Sequence, residues 1–374
     1  MLTSDSFTVA SHSSIPSAHP STSLVMTQPL HLPSTEALPP YDILNFWYGA
    51  GTDSELTIFC YGKRFNITVS ADNLQGDPDV ESEYLSLLRK LDSDELFEQE
   101  DDKGDPMEQL CFWIAFRCNS QMRALGSKQQ PQLHTLYDWF YPETIILTPM
   151  IIDGRLQVHS STPSQQLLQD MLPSVELACS IADFKIPVVT SSKVFLPQDM
   201  AGGDLPQRPT KVFTEHGMPR FFKPAYVMEP AIREISTLLR IQELGLLNII
   251  RAPKVHEFVD SQGDSSKISG ILMDYIEHRD SLGYIDIPST PLPVRRKWIS
   301  QVQHTIETLH AAEIVWGDAK LDNILVDVDD NLWIIDFGGG YTHGWVDEDK
   351  QETIEGDNQA LSRIVDFLVG KSSE

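Results

Sequence analysis

Four polar residues in the C-terminal third of the chain have types and spacings that suit phosphate chemistry. Asp318, Lys320 and Asn323 follow one another in the pattern D-x-K-x-x-N, and Asp336 opens a D-F-G triplet eighteen residues after Asp318. A carboxylate can orient a hydroxyl group, a lysine can meet a transferred phosphate, and Asn and Asp oxygens suit Mg²⁺. The set therefore indicates a phosphoryl-transfer site.

Two short apolar runs lie between these motifs and indicate how the motifs could meet. Residues 324–328 and 332–335 both have the composition of β-strands, and a short polar segment separates them. A β-hairpin would carry the polar residues that flank it to the same end. We therefore expect Asp318 and Asp336 to lie close together.

In the order and spacing of these motifs the chain resembles the catalytic core of the eukaryotic protein kinases. The resemblance implies an α+β, bilobal protein kinase-like fold that uses ATP and Mg²⁺. It implies that Asp318 and Lys320 are catalytic, and that Asn323 and Asp336 are the metal ligands.

A kinase site also needs a lysine on a strand and a glutamate on the following helix, so that the lysine is held on the nucleotide phosphates. Lys223 ends the strand-like run Arg-Phe-Phe-Lys, and Glu234 lies on the predicted helix that follows. Glu229 is the rival glutamate, and a chance Lys–Glu pair on the surface is the alternative to both. We predict that Lys223 and Glu234 are nucleotide-site residues.

The segment 271–276, with the sequence ILMDYI, is similar to the last strand of a kinase small lobe where it enters the hinge. By resemblance Met273 is the gatekeeper, and the Asp274 carbonyl and the Ile276 amide meet the adenine edge. Leu325, just after Asn323, is assigned to the same nucleotide site. An ordinary apolar core strand would have the same spacing and stays an alternative.

A long apolar stripe at helical spacing from 293 to 312 predicts a core helix, which carries His310 close to its end. By resemblance this histidine makes a structural bond to Asp357 and takes no part in catalysis.

Two residues in front of Asp318 depart from the family pattern. The usual His-Arg pair is Trp316-Gly317 here, so an apolar side chain takes the place of the histidine and no guanidinium is present for an activation-loop phosphate. We therefore predict that activity does not require phosphorylation of Tyr341 or Thr342.

Two further departures concern the ends of the kinase-like region. No G-x-G-x-x-G loop precedes Lys223, and only Gly202-Gly203 lies in the right window. The chain stops soon after a predicted helix over 358–369, so we expect a truncated large lobe. In this compactness the chain resembles the atypical RIO and Bud types and the fungal kinase-like proteins.

Composition limits the partners of the protein. The net charge of −26 argues against nucleic acid and anionic membranes, whose phosphates need basic surfaces. It is compatible with a basic protein partner, although a charge that only keeps the protein soluble explains it as well. Residues 1–62 contain no Lys or Arg, which excludes common secretory and mitochondrial signals and favours the cytoplasm or nucleus.

Composition shifts along the chain predict four parts. Residues 1–40, rich in Ser, Thr and Pro, read as a disordered tail, and 41–184 as an accessory α+β domain. Residues 185–277 read as the kinase-like N-lobe and 278–374 as its truncated C-lobe.

The leading functional hypothesis is an ATP- and Mg²⁺-dependent transfer of the γ-phosphate to a Ser/Thr hydroxyl. Lys320 favours it over the small-molecule kinases of the aminoglycoside and choline type, whose similar motif lacks that lysine. A pseudokinase that binds nucleotide as a scaffold is the alternative, and the missing glycine loop favours it. The sequence does not indicate the oligomeric state.

Overall fold

The structure is a computed structural model with a mixed α and β architecture. It describes residues 38–39, 41–49, 51–91, 105–126, 133–177, 184–197, 209–261, 264–340, 342 and 344–370. The predicted tail at 1–40 therefore lies almost wholly outside the described residues, and Gly202-Gly203 and Tyr341 lie outside them entirely. Within the described ranges, no helix is both long enough and apolar enough to span a membrane.

The N-terminal part contains a five-stranded sheet with the strand order β1-β2-β3-β4-β5. Strands β3 and β4 are parallel, and the other neighbours are antiparallel. The strands are β1 Asp42–Tyr48, β2 Asp53–Cys60, β3 Lys63–Ser70, β4 Thr144–Ile152 and β5 Arg155–Ser161.

Helices α1 Ala71–Leu74, α2 Pro78–Leu91 and α3 Pro106–Leu125 fill the crossover between β3 and β4. Helix α2 buries Val80, Tyr84 and Leu88, which recur every four residues, so one face of the helix meets the sheet. Helix α3 begins where the Asp105 side chain accepts the Met107 N–H. These helices and the sheet share one apolar core.

A six-stranded sheet follows, with the order β7-β10-β11-β9-β8 and with β6 also pairing to β11. Helix α4 Leu136–Phe140 precedes β4, α5 Gln165–Asp170 lies between β5 and β6, and the long helix after β9 is α6 Met228–Glu243. The strands are β6 Val175–Glu176, β7 Val188–Val189, β8 Lys211–Phe213, β9 Pro219–Pro224, β10 Val255–Ser261 and β11 Asp264–Asp274.

The two faces of this second sheet are buried in different cores, as the two-residue period of a strand requires. Ile271 and Met273 of β11 share a core with Ile235 of α6. Leu272 of β11 instead shares a core with Phe140 of α4. Helix α4 and strand β6 both fall within the predicted range 41–184, yet they contact the second sheet.

The C-terminal part consists of two long helices and a small antiparallel sheet of three strands. Its helices are α7 Leu292–Ala311 and α8 Ile354–Val369, and its strands are β12 His278–Ser281, β13 Ile324–Asp327 and β14 Leu332–Ile334. Trp298 of α7, Ile324 of β13 and Ile364 of α8 are buried together in the core that also receives α6. Strands β13 and β14 form the predicted hairpin.

Three local features of the fold depend on contacts that are specific to their position. The aromatic residues around 137–140 form the short helix α4, because Thr135 and Asp138 cap it reciprocally. Phe195 makes only isolated bridges, to Phe213 on one side and Thr135 on the other. Strand β10, which we did not predict, has irregular register against β11, and this obscures the alternation of its apolar residues.

Candidate active site

The first group of site residues lies on the loop between α7 and β13. Lys320 Nζ is 2.8 Å from Asp318 Oδ2. Asn323 Nδ2 donates to the Asp318 backbone carbonyl at 2.9 Å and to its Oδ2 at 3.0 Å. All three side chains of the D-x-K-x-x-N motif therefore meet at one carboxylate, and Asp318 and Asn323 are buried.

Asp357, near the start of α8, fixes the backbone of this loop just before Asp318. Its carboxylate accepts the backbone N–H groups of Trp316 at 2.8 Å and Gly317 at 2.9 Å, and it lies 3.0 Å from His310 Nε2. The predicted bond between His310 and Asp357 is thereby confirmed. Gly317 has a φ of +90°, a conformation that strongly favours glycine, so the residue type at this position follows from the turn.

Asp336 follows β14 and adopts a left-handed backbone conformation with a φ of 60°. This conformation is unusual for a residue other than glycine. The backbone N–H of Ile335 donates to the Asn323 carbonyl at 3.0 Å, which ties the D-F-G segment to the loop that carries Asp318. The indole N–H of Trp316 donates to the carbonyls of Ile335 and Asp336 at 2.9 and 3.1 Å. Trp316, in place of the usual histidine, is fully buried at this junction.

Lys223 links the second sheet to this junction. Its ammonium lies 2.7 Å from Glu234 Oε2 and 3.0 Å from Asp336 Oδ1. Glu234 is 4% exposed, whereas the rival Glu229 is exposed at the first turn of α6. The structure therefore brings Lys223, Glu234 and Asp336 together, and it leaves Glu229 outside the cluster.

Opposite charges stabilise the ionised forms of Lys223 and Asp336, whereas burial raises the pKa of Glu234. Burial opposes the charge on Lys223, but Glu234 and Asp336 outweigh burial and raise the pKa of its ammonium. Burial also works to raise the pKa of Asp336, yet the ammonium groups of Lys223 and Lys320 hold that pKa below its usual range. Asp336 is therefore an anion at neutral pH and can offer a charged oxygen to a cation.

Thr342 is a site residue whose role the sequence did not indicate, because a threonine in a loop has no motif of its own. Its hydroxyl accepts from Lys320 Nζ at 2.9 Å and donates to Asp318 Oδ1 at 3.2 Å. A threonine hydroxyl of this chain thus lies between the two residues that we predicted to be catalytic.

The predicted hinge residues lie at and just after the C-terminal end of β11, which pairs with β10 on one side and with β9 on the other. Met273 is buried, and the Asp274 carboxylate accepts the Lys254 N–H at 3.0 Å and lies 2.6 Å from His256 Nε2. The hinge side chain is thereby tied to β10. The ammonium of Lys211 on β8 lies 4.3 Å above the ring of Tyr275.

Ile276 and Leu325 complete the predicted nucleotide set. The Ile276 carbonyl is 2.8 Å from His278 Nδ1, and Leu325 pairs with Ser281 on one side and Trp333 on the other. Among the described contacts, no hydrogen bond or ion pair joins Met273, Asp274, Ile276 or Leu325 to Lys223 or Asp336. Their roles toward a nucleotide base stay predictions.

The donor set suits a hard cation that arrives with its own oxygen ligands. Within the described residues, no group of three or more His, Cys, Asp or Glu side chains is placed to hold a metal ion. The Nδ2 of Asn323 donates to Asp318, so Oδ1 is the Asn323 atom that can bind a cation. Asp336 offers a carboxylate. Mg²⁺ commonly binds through one or two such ligands together with substrate phosphates and water.

The comparison with known protein families agrees with this arrangement. Residues 229–354 match the family model of the protein kinase domain. The match supports a protein kinase-like domain in this part of the chain. It runs from the first turn of α6 to the start of α8 and so includes Glu234, Asp318, Asn323 and Asp336, while Lys223 lies just before it.

Two curated proteins are similar to part of the chain. One is the cAMP-dependent protein kinase type 3 of Saccharomyces cerevisiae, 30% identical over 97 residues, which are 26% of this chain and 24% of that protein. The other is the human testis-specific serine/threonine-protein kinase 4, 30% identical over 98 residues, which are 26% of this chain and 30% of that protein. The chain thus matches less than a third of either relative's length.

Proposed function

We propose that this protein is an ATP- and Mg²⁺-dependent protein kinase that transfers the γ-phosphate to a Ser or Thr hydroxyl. The observation that carries the proposal is the convergence of two groups from distant segments. Lys223 of the second sheet contacts both Glu234 of α6 and Asp336. The loop with Asp318, Lys320 and Asn323 is joined to the Asp336 segment by the hydrogen bond from the Ile335 N–H to the Asn323 carbonyl.

In this proposal each side chain has one task. Asp318 orients the acceptor hydroxyl and takes its proton while the oxygen bonds to the γ-phosphorus and the bond to the β–γ bridging oxygen breaks, so that ADP leaves. Lys320 offsets the charge that develops on the transferred group. Lys223 binds the α- and β-phosphates, and the buried Glu234 fixes its position.

Mg²⁺, when bound, would neutralise phosphate charge, and Asn323 and Asp336 are the residues that would hold it. Their oxygens and the low pKa of Asp336 support this assignment. The nucleotide base would lie against Met273, Asp274, Ile276 and Leu325.

Two observations favour a Ser/Thr acceptor. The Thr342 hydroxyl already lies between Asp318 and Lys320, so the site accepts a secondary alcohol of this size. One of the matched relatives has serine/threonine-protein kinase in its name. The net charge of −26 supports a basic protein as the acceptor, as long-range attraction would raise its local concentration.

Transfer of label from γ-labelled ATP tests the proposal. Wild type, Asp336→Ala and the exposed loop variant Asp329→Ala are incubated with Mg²⁺ and either a basic protein or small alcohols. We expect label on Ser and Thr of the basic protein with wild type and Asp329→Ala, and none with Asp336→Ala. Label on the small alcohols instead would indicate a small-molecule kinase. Thermal stabilisation by Mg²⁺–ATP without any transfer would indicate a nucleotide-binding scaffold.

A further inference from the structure

Arg233 is adjacent to Glu234 on α6 but points to a different set of partners. Successive helical side chains diverge by about 100°, so Glu234 can face Lys223 while Arg233 faces the loops of the C-terminal part. The guanidinium lies against Gly317 of the catalytic loop and Gly339 of the segment after Asp336. A Cβ atom at either glycine would overlap it, so both positions are free of side chains where the arginine enters.

Glu352 is the ion-pair partner of Arg233. Its Oε1 lies 2.5 Å from Arg233 Nη1 and accepts the backbone N–H of Gly340 at 3.2 Å. Its backbone has a φ of 53°, which is unfavourable for a residue with a side chain. The Glu352 carboxylate therefore joins Gly340, which follows the D-F-G triplet, to Arg233 of α6.

We propose that Arg233 and Glu352 are positioning residues that hold α6 in its productive place without any phosphate. The inference rests on the proposed kinase function. It explains how a chain with Gly317 in place of the usual arginine can still order the segment after Asp336. Arg233 of α6 supplies the guanidinium in place of that arginine. The Glu352 carboxylate takes the place of an activation-loop phosphate.

The mechanical consequence is that α6 is fastened at two points. Glu234 contacts Lys223 at 2.7 Å, and the Phe337 backbone also hydrogen-bonds to Glu234. Arg233 contacts Glu352 one residue earlier on the same helix. A rotation of α6 that withdraws Glu234 from Lys223 must also break the Arg233–Glu352 pair, because the two side chains are on one rigid element.

An ion pair with a purely structural role would affect stability and turnover differently. Exposed pairs contribute at most about 1 kcal/mol to stability and have no selective effect on turnover. Lys193 and Glu215 form such a pair at 3.4 Å, and the Glu215 side chain is 50% exposed against 49% for Glu352. This pair supplies a control that is matched at the carboxylate, whereas the Lys193 side chain is 56% exposed and that of Arg233 is 24% exposed.

The test combines Arg233→Met, Glu352→Gln and their double variant with Lys193→Met and Glu215→Gln as controls. Two quantities are measured: kcat for phosphoryl transfer, and hydrogen–deuterium exchange of the α6 amides. We expect each single variant at the pair to lower kcat about tenfold and to speed α6 exchange about tenfold, with the double variant no worse than either. The controls should change neither quantity.

Unchanged α6 exchange in both single variants would overturn the inference, as would independent effects that multiply in the double variant. The exchange measurement needs no catalysis. If wild type transfers no phosphate, the proposed function fails while α6 exchange still decides whether the pair fastens the helix. Wild-type protein treated with a phosphatase should keep its full transfer rate, and a loss of rate would show that a phosphate is required after all.

Discussion

The ammonium of Lys223 lies 3.0 Å from the carboxylate of Asp336, although 113 residues separate them in sequence. The contact joins strand β9 of the second sheet to the D-F-G segment. Because each charge lowers the cost of burying the other, neither residue is an independent surface group.

Removing the Asp336 charge should abolish transfer by removing a metal ligand and a partner of Lys223 together. We expect Asp336→Asn to lower kcat/KM by about 100-fold or more and to abolish the Mg²⁺-dependent thermal stabilisation by ATP. Transfer of labelled phosphate and thermal unfolding with and without Mg²⁺ measure the two effects. Asp329→Asn, on an exposed turn, should behave as wild type; full activity of Asp336→Asn would contradict the metal assignment.

Asp318 should affect chemistry more than nucleotide binding. Asp318→Asn keeps the shape of the side chain but removes the proton acceptor, so we expect kcat to fall by about 10²–10⁴-fold. Stabilisation by Mg²⁺–ATP should persist, because Lys223 and Asp336 are intact. Equal losses of turnover and of nucleotide binding would show that Asp318 acts on the fold of the site instead.

Thr342 distinguishes a hydroxyl bridge from a phosphorylation switch. Thr342→Ser keeps the hydroxyl between Lys320 and Asp318, and we expect it to retain most of the activity. Thr342→Asp places a second carboxylate beside Asp318, and like charges at this distance repel, so turnover should fall. Initial rates of the two variants provide the measurement, and strong activation by Thr342→Asp would refute the prediction that no activating phosphate is needed.

Asp357 should be a stability residue. It is 2% exposed, and its replacement by Ala would leave the N–H groups of Trp316 and Gly317 without their acceptor. An unsatisfied buried group costs about 1–3 kcal/mol, so we expect the free energy of unfolding to fall by about 2–4 kcal/mol. Denaturant unfolding tests this, with the exposed Glu348→Ala as a control that should change little. An Asp357→Ala variant as stable as wild type would show that water replaces the carboxylate.

Asp42 on β1 should make stability depend on pH. Burial raises the pKa of its carboxyl to about 6, and its Oδ2 is buried without a hydrogen-bond partner. An unfolded Asp titrates near pH ~3.9, so the folded state holds the proton more tightly, and stability is lost as pH rises from about 4 to about 6. Asp42→Asn should therefore raise Tm at about pH 7.5 and have little effect at about pH 4. A gain of the same size at both pH values would contradict the assignment, and Asp329→Asn serves as the exposed control.

The sequence predicted the charged cluster because its residues sit in short motifs with fixed spacing. Asp318, Lys320, Asn323 and Asp336 are separated only by a hairpin, so local geometry determines their meeting. Lys223 and Glu234 could be predicted because α6 follows β9 directly and packs on the same sheet.

Contacts between distant residues that lie outside these motifs had no comparable signal. Glu352 and Arg233 are 119 residues apart, and neither belongs to a motif with a fixed spacing. Strand β10 was missed for a related reason: its register against β11 shifts three times, so its buried positions do not alternate. Such irregularities depend on the neighbouring strand and are invisible in the strand's own sequence.

Helix α4 and strand β6 have a practical consequence for anyone who wants to produce the catalytic part alone. Leu136 and Phe140 shield Phe222 and Leu272 from water, and β6 pairs along residues 267–268 of β11. A fragment starting at residue 185 would expose this apolar surface to water and would tend to aggregate. A lack of activity in that fragment would then reflect its aggregation. A fragment that starts before residue 133 keeps Leu136 and Phe140 and so avoids this exposure.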